Sequence, residues 1–203
     1  MNLINEMLEE KSTKSDIEIY GFYDVLLKLF NQLDLISFEA NNQSKNQFAF
    51  IRAFPDQEYL QNNVVTFLVK ESNPFTSKSL VNKTGNTIHT PRFVDQEYDI
   101  ISGNVKDTYR YPKEHCLELR CFSRSAETVE QLSKIIETSF IVYSSLLKKY
   151  VSNIRYLHTT ATEYVGVYDQ KRLFTKSIYF KIITVQTYNI DLEQLKNITL
   201  TLK

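Results

Sequence analysis

The sequence predicts an α+β fold, in which long helices pack on one face of a mostly antiparallel sheet. Residues 16–33 and 125–151 carry apolar side chains in steps of three and four, the spacing of an amphipathic helix. Other segments alternate apolar with polar residues or are rich in Ile, Val, Thr and Tyr, as strands are. The order is two helices, a hairpin, a long loop and a β-α-β-β unit, with no internal repeat, which indicates a single α+β domain over residues 1–203.

Two helices are expected in the first part of the chain. Residues 1–11 form either a short amphipathic helix that docks on the domain or a frayed terminus. Ser15 and Glu18 match a capping box at the start of the helix 16–33.

A hairpin and a long loop follow these helices. Residues 47–54 alternate Phe with Ala and predict a strand, and residues 64–70 are its expected antiparallel partner. Residues 71–91 are rich in Ser, Asn, Thr and Lys and predict a loop. Such a long loop in a compact domain is usually functional or disordered.

The β-α-β-β unit occupies the second half. A strand over residues 92–101 comes before it, and the unit opens with a strand over residues 115–122. In that strand Leu117, Leu119 and Cys121 are expected to point inward, and Glu118, Arg120 and Phe122 outward.

The long helix 125–151 has Ser125 as its expected N-cap and Glu127 in its first turn. Residues 153–164 and 173–188 predict two further strands, joined by a hairpin loop at residues 166–171.

Charge and cysteine usage restrict the function. The 24 basic and 24 acidic side chains give zero net charge, which argues against general nucleic-acid binding. Cys116 and Cys121 are five residues apart on one predicted strand, so they point to opposite faces and are expected to stay reduced. Neither a signal peptide nor an apolar run of membrane-spanning length is recognisable, so we expect a soluble protein made in the cytosol.

Catalytic motifs are absent from the sequence. There is no Gly-rich phosphate loop, no Cys-x-x-Cys pair and no His-Glu-x-x-His helix, so we expect no enzyme activity, cofactor or metal. His115 and Cys116 are neighbours on a strand, and their side chains should diverge. Asp95, Glu97 and Asp99 alternate as a cation site would, but the solvated side of an edge strand is the simpler interpretation.

Aromatic and basic residues mark candidate contact surfaces. Such mixtures occur both in nucleic-acid sites and in protein interfaces, and the zero net charge favours a protein interface. The candidate interface residues are Tyr109, Arg110, Tyr111, Phe122, Arg124, Phe75 and His89.

Residues 120–127 form the predicted junction between a strand and a helix. This junction and the order of elements around it resemble those of the tail terminator (tail completion) proteins of tailed bacteriophages. The resemblance implies a structural virion protein that is made in the host cytoplasm and forms a ring, typically a hexamer. Such a ring caps the tail tube and joins tail to head. It implies copies of the chain, the tail tube, and sheath or connector proteins as partners, with no membrane and no specific nucleic acid.

Two alternatives remain open at this point. Besides a tail terminator, the chain could be another phage neck or baseplate component, or a non-catalytic adaptor domain of a cellular protein. An enzyme whose site is assembled from scattered residues is the least favoured interpretation. Self-association separates the virion role from the adaptor role, because only the virion role predicts a ring or a strong dependence on partners.

Overall fold

The structure, a computed structural model, describes residues 18–37, 46–52, 55, 62–74, 92–98, 105–168 and 171–191. The fold class is α+β, with helices and a mixed sheet. In chain order the elements are α1 (Ile19–Gln32), β1 (Ala49–Ile51), β2 (Val64–Pro74), β3 (Arg92–Tyr98), β4 (Val105–Ser123), α2 (Ala126–Val142), the one-turn α3 (Ser144–Leu147), β5 (Asn153–Thr159), β6 (Glu163–Tyr168) and β7 (Lys171–Asp191).

Two long strands, β4 and β7, form the centre of the sheet. They pair antiparallel from Lys106 opposite Asp191 to Ser123 opposite Phe174. β2 and β3 lie end to end along the outer side of β4, and β5 and β6 lie end to end along the outer side of β7. β1 pairs with β2.

The main core joins α1 and α2 to one set of alternating strand residues. Leu117, Leu119 and Cys121 are fully buried in it, as the alternation in β4 predicts. Phe140 of α2 stacks on Phe180 of β7, with the ring centroids 4.1 Å apart. Burying a ring of this size contributes about 2–3 kcal/mol, so this pair stabilises the packing of α2 on the sheet.

The other set of β4 side chains is not solvated as expected. Phe122 is buried in a second, smaller cluster with Val64 and Leu173. Glu118 is also fully buried, within a polar network described below. The expectation that Glu118 and Phe122 point into solvent is therefore wrong, because neighbouring strands supply apolar or charged cover on this side as well.

The first strand pair differs from the predicted hairpin. β1 runs parallel to β2, with Ala49 opposite Val64 and Ile51 opposite Thr66. Residues 52–63 connect the two strands, and about a dozen residues is the length that a parallel crossover requires. Alternation of Phe and Ala predicts a strand but carries no information about its direction, so the antiparallel prediction failed.

Both predicted helices need corrections at their ends. Glu18 is extended (φ −65°, ψ 158°), so α1 begins at Ile19 and Glu18 occupies the N-cap position itself, which contradicts its role in a capping box. Ser125 does cap α2, where its hydroxyl accepts from the Thr128 amide at 3.4 Å. The single helix 125–151 is wrong, because Tyr143 (φ −97°, ψ 16°) ends α2 before the separate turn α3.

Several strand boundaries also differ from the prediction. β4 is one strand of 19 residues that runs through Pro112. On the outer side of β4, Pro112 falls between Arg110, paired with β3, and Lys113, paired with β2. At such an interruption, a residue without an amide hydrogen is tolerated.

The strand predicted over residues 153–164 is divided into β5 and β6, and β6 and β7 form the predicted hairpin with a shorter connection. Residues 71–74 belong to β2 rather than to a loop. The predicted helix 1–11 and the rest of the predicted loop, residues 75–91, lie outside the described residues.

Candidate assembly surface along β5 and β6

β5 and β6 form one border of the described sheet. Both pair with β7 on one side, and no described strand pairs with their other side. Between them, Thr160 is fixed to Ser177 of β7 by two hydrogen bonds, at 2.9 and 3.0 Å. These two hydrogen bonds therefore hold the segment between β5 and β6 against β7.

Polar contacts tie the same border to α2. Thr159 and Thr162 donate hydrogen bonds to Glu137 and Glu130, and Lys176 of β7 forms an ion pair with Glu130. The hydrogen bonds from Lys176 and Thr162 hold the pKa of Glu130 below its usual value. These contacts fix α2 against the border of the sheet.

Exposed apolar side chains concentrate on this border. The described residues expose nine large apolar side chains, and two of these, Tyr20 and Tyr98, lie on α1 and β3. The other seven lie at the end of α2 and on the two border strands, and we call them the edge surface. They are Ile141, Val142, Tyr156, Leu157, Tyr164, Val165 and Val167.

A groove of about 550 Å³ opens within the edge surface, between the end of α2 and β5. The stacked rings of Phe140 and Phe180 line it, and Tyr156 meets Phe180 edge-on with the centroids 5.9 Å apart. Ile141 also lines the groove and is 74% exposed. The remaining lining residues are Glu137, Ser144, Lys148 and Ile154. An apolar cleft with a few polar groups is suited to hold an apolar side chain of a partner.

Bulges shape both border strands. The register shifts between Tyr156 and His158 and again between Tyr164 and Gly166, so Leu157 and Val165 are the extra residues. Gly166 has φ 147°, a conformation that residues with a side chain rarely adopt. Bulges interrupt the ladder and oppose the addition of a continuous strand. A partner at this border would therefore bind mainly through side-chain packing.

The predicted interface residues lie elsewhere. Tyr109, Arg110 and Tyr111 sit together on β4, which β7 separates from the edge surface. Arg110 is exposed, and the two tyrosines are partly buried. The Lys113 ammonium lies 5.9 Å from the centre of the Tyr111 ring, a cation–π contact.

Of the other predicted residues, Phe122 is buried, so its expected exposure as an interface anchor is wrong. Arg124 is partly buried at the strand-to-helix junction. Phe75 and His89 lie outside the described residues. Sequence reasoning missed the edge surface, although the run YVGVY at residues 164–168, apolar at successive positions around a glycine, was a signal for an exposed apolar strand with a bulge.

Glu118 is the centre of a polar network between β2, β4 and β7. Arg120 and Lys70 form ion pairs with its carboxylate at 2.7 Å, and Ser177 and Tyr179 donate to it at 2.6 and 3.1 Å. Burial raises the pKa of Glu118, but the hydrogen bonds from Lys70, Ser177 and Arg120 outweigh burial and leave the pKa below its usual value. The carboxylate stays ionised, with Lys70 beside Oε2 and the Arg120, Ser177 and Tyr179 side chains on Oε1, which suits a structural link between β2, β4 and β7.

His115 forms a second polar link across the same three strands. Its Nδ1 lies 2.9 Å from the Ser72 hydroxyl and its Nε2 lies 2.8 Å from the Thr184 hydroxyl. Burial, with a smaller contribution from the Lys113 charge, lowers the pKa of His115 to about 4. The ring is neutral at physiological pH, and it is too weak a base to activate a hydroxyl efficiently there.

The cysteines behave as the strand alternation predicts. Cys116 and Cys121 are both free thiols, and burial raises the pKa of each. Within the described ranges, no group of three His, Cys, Asp or Glu side chains could hold a metal ion. None of the helices in the described part of the chain is long and apolar enough to cross a membrane.

The sequence matches no model of a known protein family, and no curated protein matches it either.

Proposed function

We propose that this chain is a structural virion protein of a tailed bacteriophage, a tail terminator or neck protein that assembles with copies of itself into a ring. The ring, a hexamer by the resemblance, caps the tail tube and joins tail to head. The observation that carries the proposal is the edge surface, because it gives the chain exposed apolar side chains at one border of the sheet.

The exposure of the edge surface supports an assembled state. Its seven side chains are each between 37% and 74% exposed. Concentrations of exposed apolar side chains usually mark a binding site. The edge surface is therefore a suitable place for a subunit contact.

The order of elements supports the same function. We interpret β4, α2 and the late strands as the β-α-β-β unit of the resemblance, with the helices as one layer on the sheet. In this interpretation the unit keeps the core on the helix side and leaves the β5–β6 border for contacts between subunits. The chain then acts by positioning partners, with no chemical step.

The first test is the mass of the purified protein by light scattering across a concentration series. We expect a discrete closed oligomer, with a hexamer as the specific expectation. If the protein is monomeric, purified tail tubes are added and inspected by electron microscopy. Binding at one end of the tube supports a subunit that assembles on its tail, whereas a monomer that ignores tubes overturns the proposal in favour of an adaptor domain.

A further inference from the structure

A chain of hydrogen bonds fixes one carboxylate on the lining of the groove between α2 and β5. The Tyr156 hydroxyl donates to the Thr159 hydroxyl at 3.0 Å, and the Thr159 hydroxyl donates in turn to Oε1 of Glu137. Because both groups bond to the same hydroxyl, the Glu137 carboxylate and the Tyr156 hydroxyl are at most about 6 Å apart. The groove therefore holds a negative charge beside an aromatic side chain.

The charge of Glu137 is not paired within the described part of the chain. No described Lys or Arg forms an ion pair with Glu137, and its second oxygen, Oε2, accepts no hydrogen bond from a described residue. Lys148 also lines the groove, eleven residues further along the chain, and it is exposed to water. Water screens an exposed charge strongly, so the Glu137 carboxylate is available to a cation from a partner.

Aromatic and apolar side chains share the lining with that carboxylate. They include Tyr156, Ile141 and the stacked rings of Phe140 and Phe180. A guanidinium group pairs with a carboxylate and stacks on an aromatic ring, and the methylene stem of an arginine packs on apolar surface. The groove also lies against the last turns of α2, where the helix dipole favours a cation. An arginine side chain therefore matches both the charge and the apolar part of the groove.

We propose that the groove binds a segment of a partner protein that presents one arginine between apolar side chains. The guanidinium pairs with Glu137 and lies on the Tyr156 ring, and the flanking apolar side chains pack on Ile141 and Ile154. The Lys148 charge disfavours a second cation, so the segment carries a single arginine rather than a basic cluster. The inference rests on the proposed function in one respect, that the partner is another protein of the virion.

The open side of the groove favours a protein segment over a free small molecule. The volume of about 550 Å³ is within the ~300–1,000 Å³ of ligand pockets, but such pockets bury most of their ligand. Here Ile141 on α2 and Tyr156 on β5 are 74% and 51% exposed. A partner protein covers the open side with its own surface when it inserts a side chain.

The first experiment measures the binding of three rhodamine-labelled peptides by fluorescence anisotropy. Each peptide has one central residue between two leucines and glycines at both ends, and the central residue is arginine, citrulline or glutamate. Citrulline has nearly the shape of arginine without its charge. We expect the arginine peptide to bind at least tenfold more tightly than the citrulline peptide, and the glutamate peptide to bind more weakly still. No binding of the arginine peptide at 1 mM protein (roughly the weakest specific affinity of interest), or equal binding of arginine and citrulline, overturns the inference.

The second experiment repeats the titration of the arginine peptide with Glu137→Gln and, as the matched control, Glu127→Gln. The glutamine amide oxygen can still accept from Thr159, so Glu137→Gln removes the charge and keeps the contact. Glu127 is an exposed carboxylate in the first turn of α2. We expect Glu137→Gln to weaken binding at least tenfold and Glu127→Gln less than twofold, and equal affinities would contradict the inference. The citrulline comparison needs no variant, so it tests the inference even if Glu137→Gln does not fold.

The outcomes separate this inference from the proposed function. If the protein forms a ring or binds tail tubes but does not distinguish arginine from citrulline, the inference is overturned and the proposed function stands. If the arginine peptide binds to a chain that is monomeric and ignores tail tubes, the arginine site stands and the virion role is overturned. If the arginine peptide dissociates the purified oligomer, the segment belongs to a second copy, which overturns the assignment to another protein.

Discussion

The two halves of the β4–β7 ladder share one register and differ in what covers them. In the inner half, residues 115–123 of β4, Leu117, Leu119 and Cys121 are fully buried against the helices. In the outer half, residues 106–114, Asp107 is the sole buried side chain among them, and the others are partly or fully exposed. The backbone pairing is continuous across both halves.

Continuous backbone pairing therefore does not by itself determine how much each half of a strand contributes to stability. A backbone hydrogen bond contributes a net ~0.5–1.5 kcal/mol, because the unfolded chain bonds to water instead. Apolar burial adds about 25 cal/mol per Å², and in the described residues the inner half receives most of it. The outer half is an extension of the sheet that depends on the inner half for its position.

The largest expected effect comes from removing a ring of the inner half. Phe180→Ala removes the stacking partner of Phe140 and leaves a cavity in the core, which should lower the free energy of unfolding by about 3–5 kcal/mol. Tyr111→Ala, in the partly exposed outer half, should lower it by about 1 kcal/mol or less. Urea denaturation of both variants measures the difference, and equal losses would show that the two halves are stabilised alike.

A smaller effect is expected from pH at the boundary between the halves, where His115 lies. Its pKa is about 4 in the folded chain and 6.5 in the unfolded chain, so on acidification the unfolded chain binds the proton first. The contribution of the neutral ring is therefore complete above pH 6.5 and is lost as the pH falls towards 4, by roughly 3 kcal/mol in total.

Urea denaturation between pH 7 and 4 checks this effect in the wild-type protein and in His115→Gln. The Gln amide reaches the position of Nε2, where it can bond to Thr184, and it does not titrate. Carboxylates titrate in both proteins, so the difference between the two curves of unfolding free energy against pH gives the contribution of His115. Parallel curves would contradict a buried neutral histidine.

The smallest expected effect compares two carboxylates. Glu118→Gln in the inner half leaves Lys70 and Arg120 beside a neutral group and should cost about 1–3 kcal/mol of stability. Glu114→Gln removes an ion pair with Lys181 in which both side chains are partly exposed, and should cost less than about 1 kcal/mol. Thermal unfolding measures the loss of stability in each variant. A greater loss of stability in Glu114→Gln than in Glu118→Gln would contradict the comparison.

The candidate site was harder to predict than the fold. Tyr109, Arg110 and Tyr111 were chosen because aromatic and basic residues are common anchors, a criterion of composition alone. The edge surface depends instead on which strands end the sheet. Tyr164 and Tyr179 both lie on strands, yet Tyr164 is exposed on the border strand β6 while Tyr179 lies on the central strand β7 and bonds to Glu118.

Local patterns in the sequence determined the elements of this protein. The spacing of apolar residues placed α1 and most of α2, Ser125 fixed the start of α2, and alternation placed Leu117, Leu119 and Cys121 in the core. These features depend on residues a few positions apart, whose geometry the backbone imposes.

The folded arrangement of the chain determined the features that depend on distant partners. It set the parallel direction of β1, the burial of Glu118 among side chains of three strands, and the position of β5 and β6 at the border. The order of the strands and the burial of each strand depend on contacts between residues that are far apart in the chain. The same alternating pattern is compatible with a central strand or a border strand until its neighbours are known.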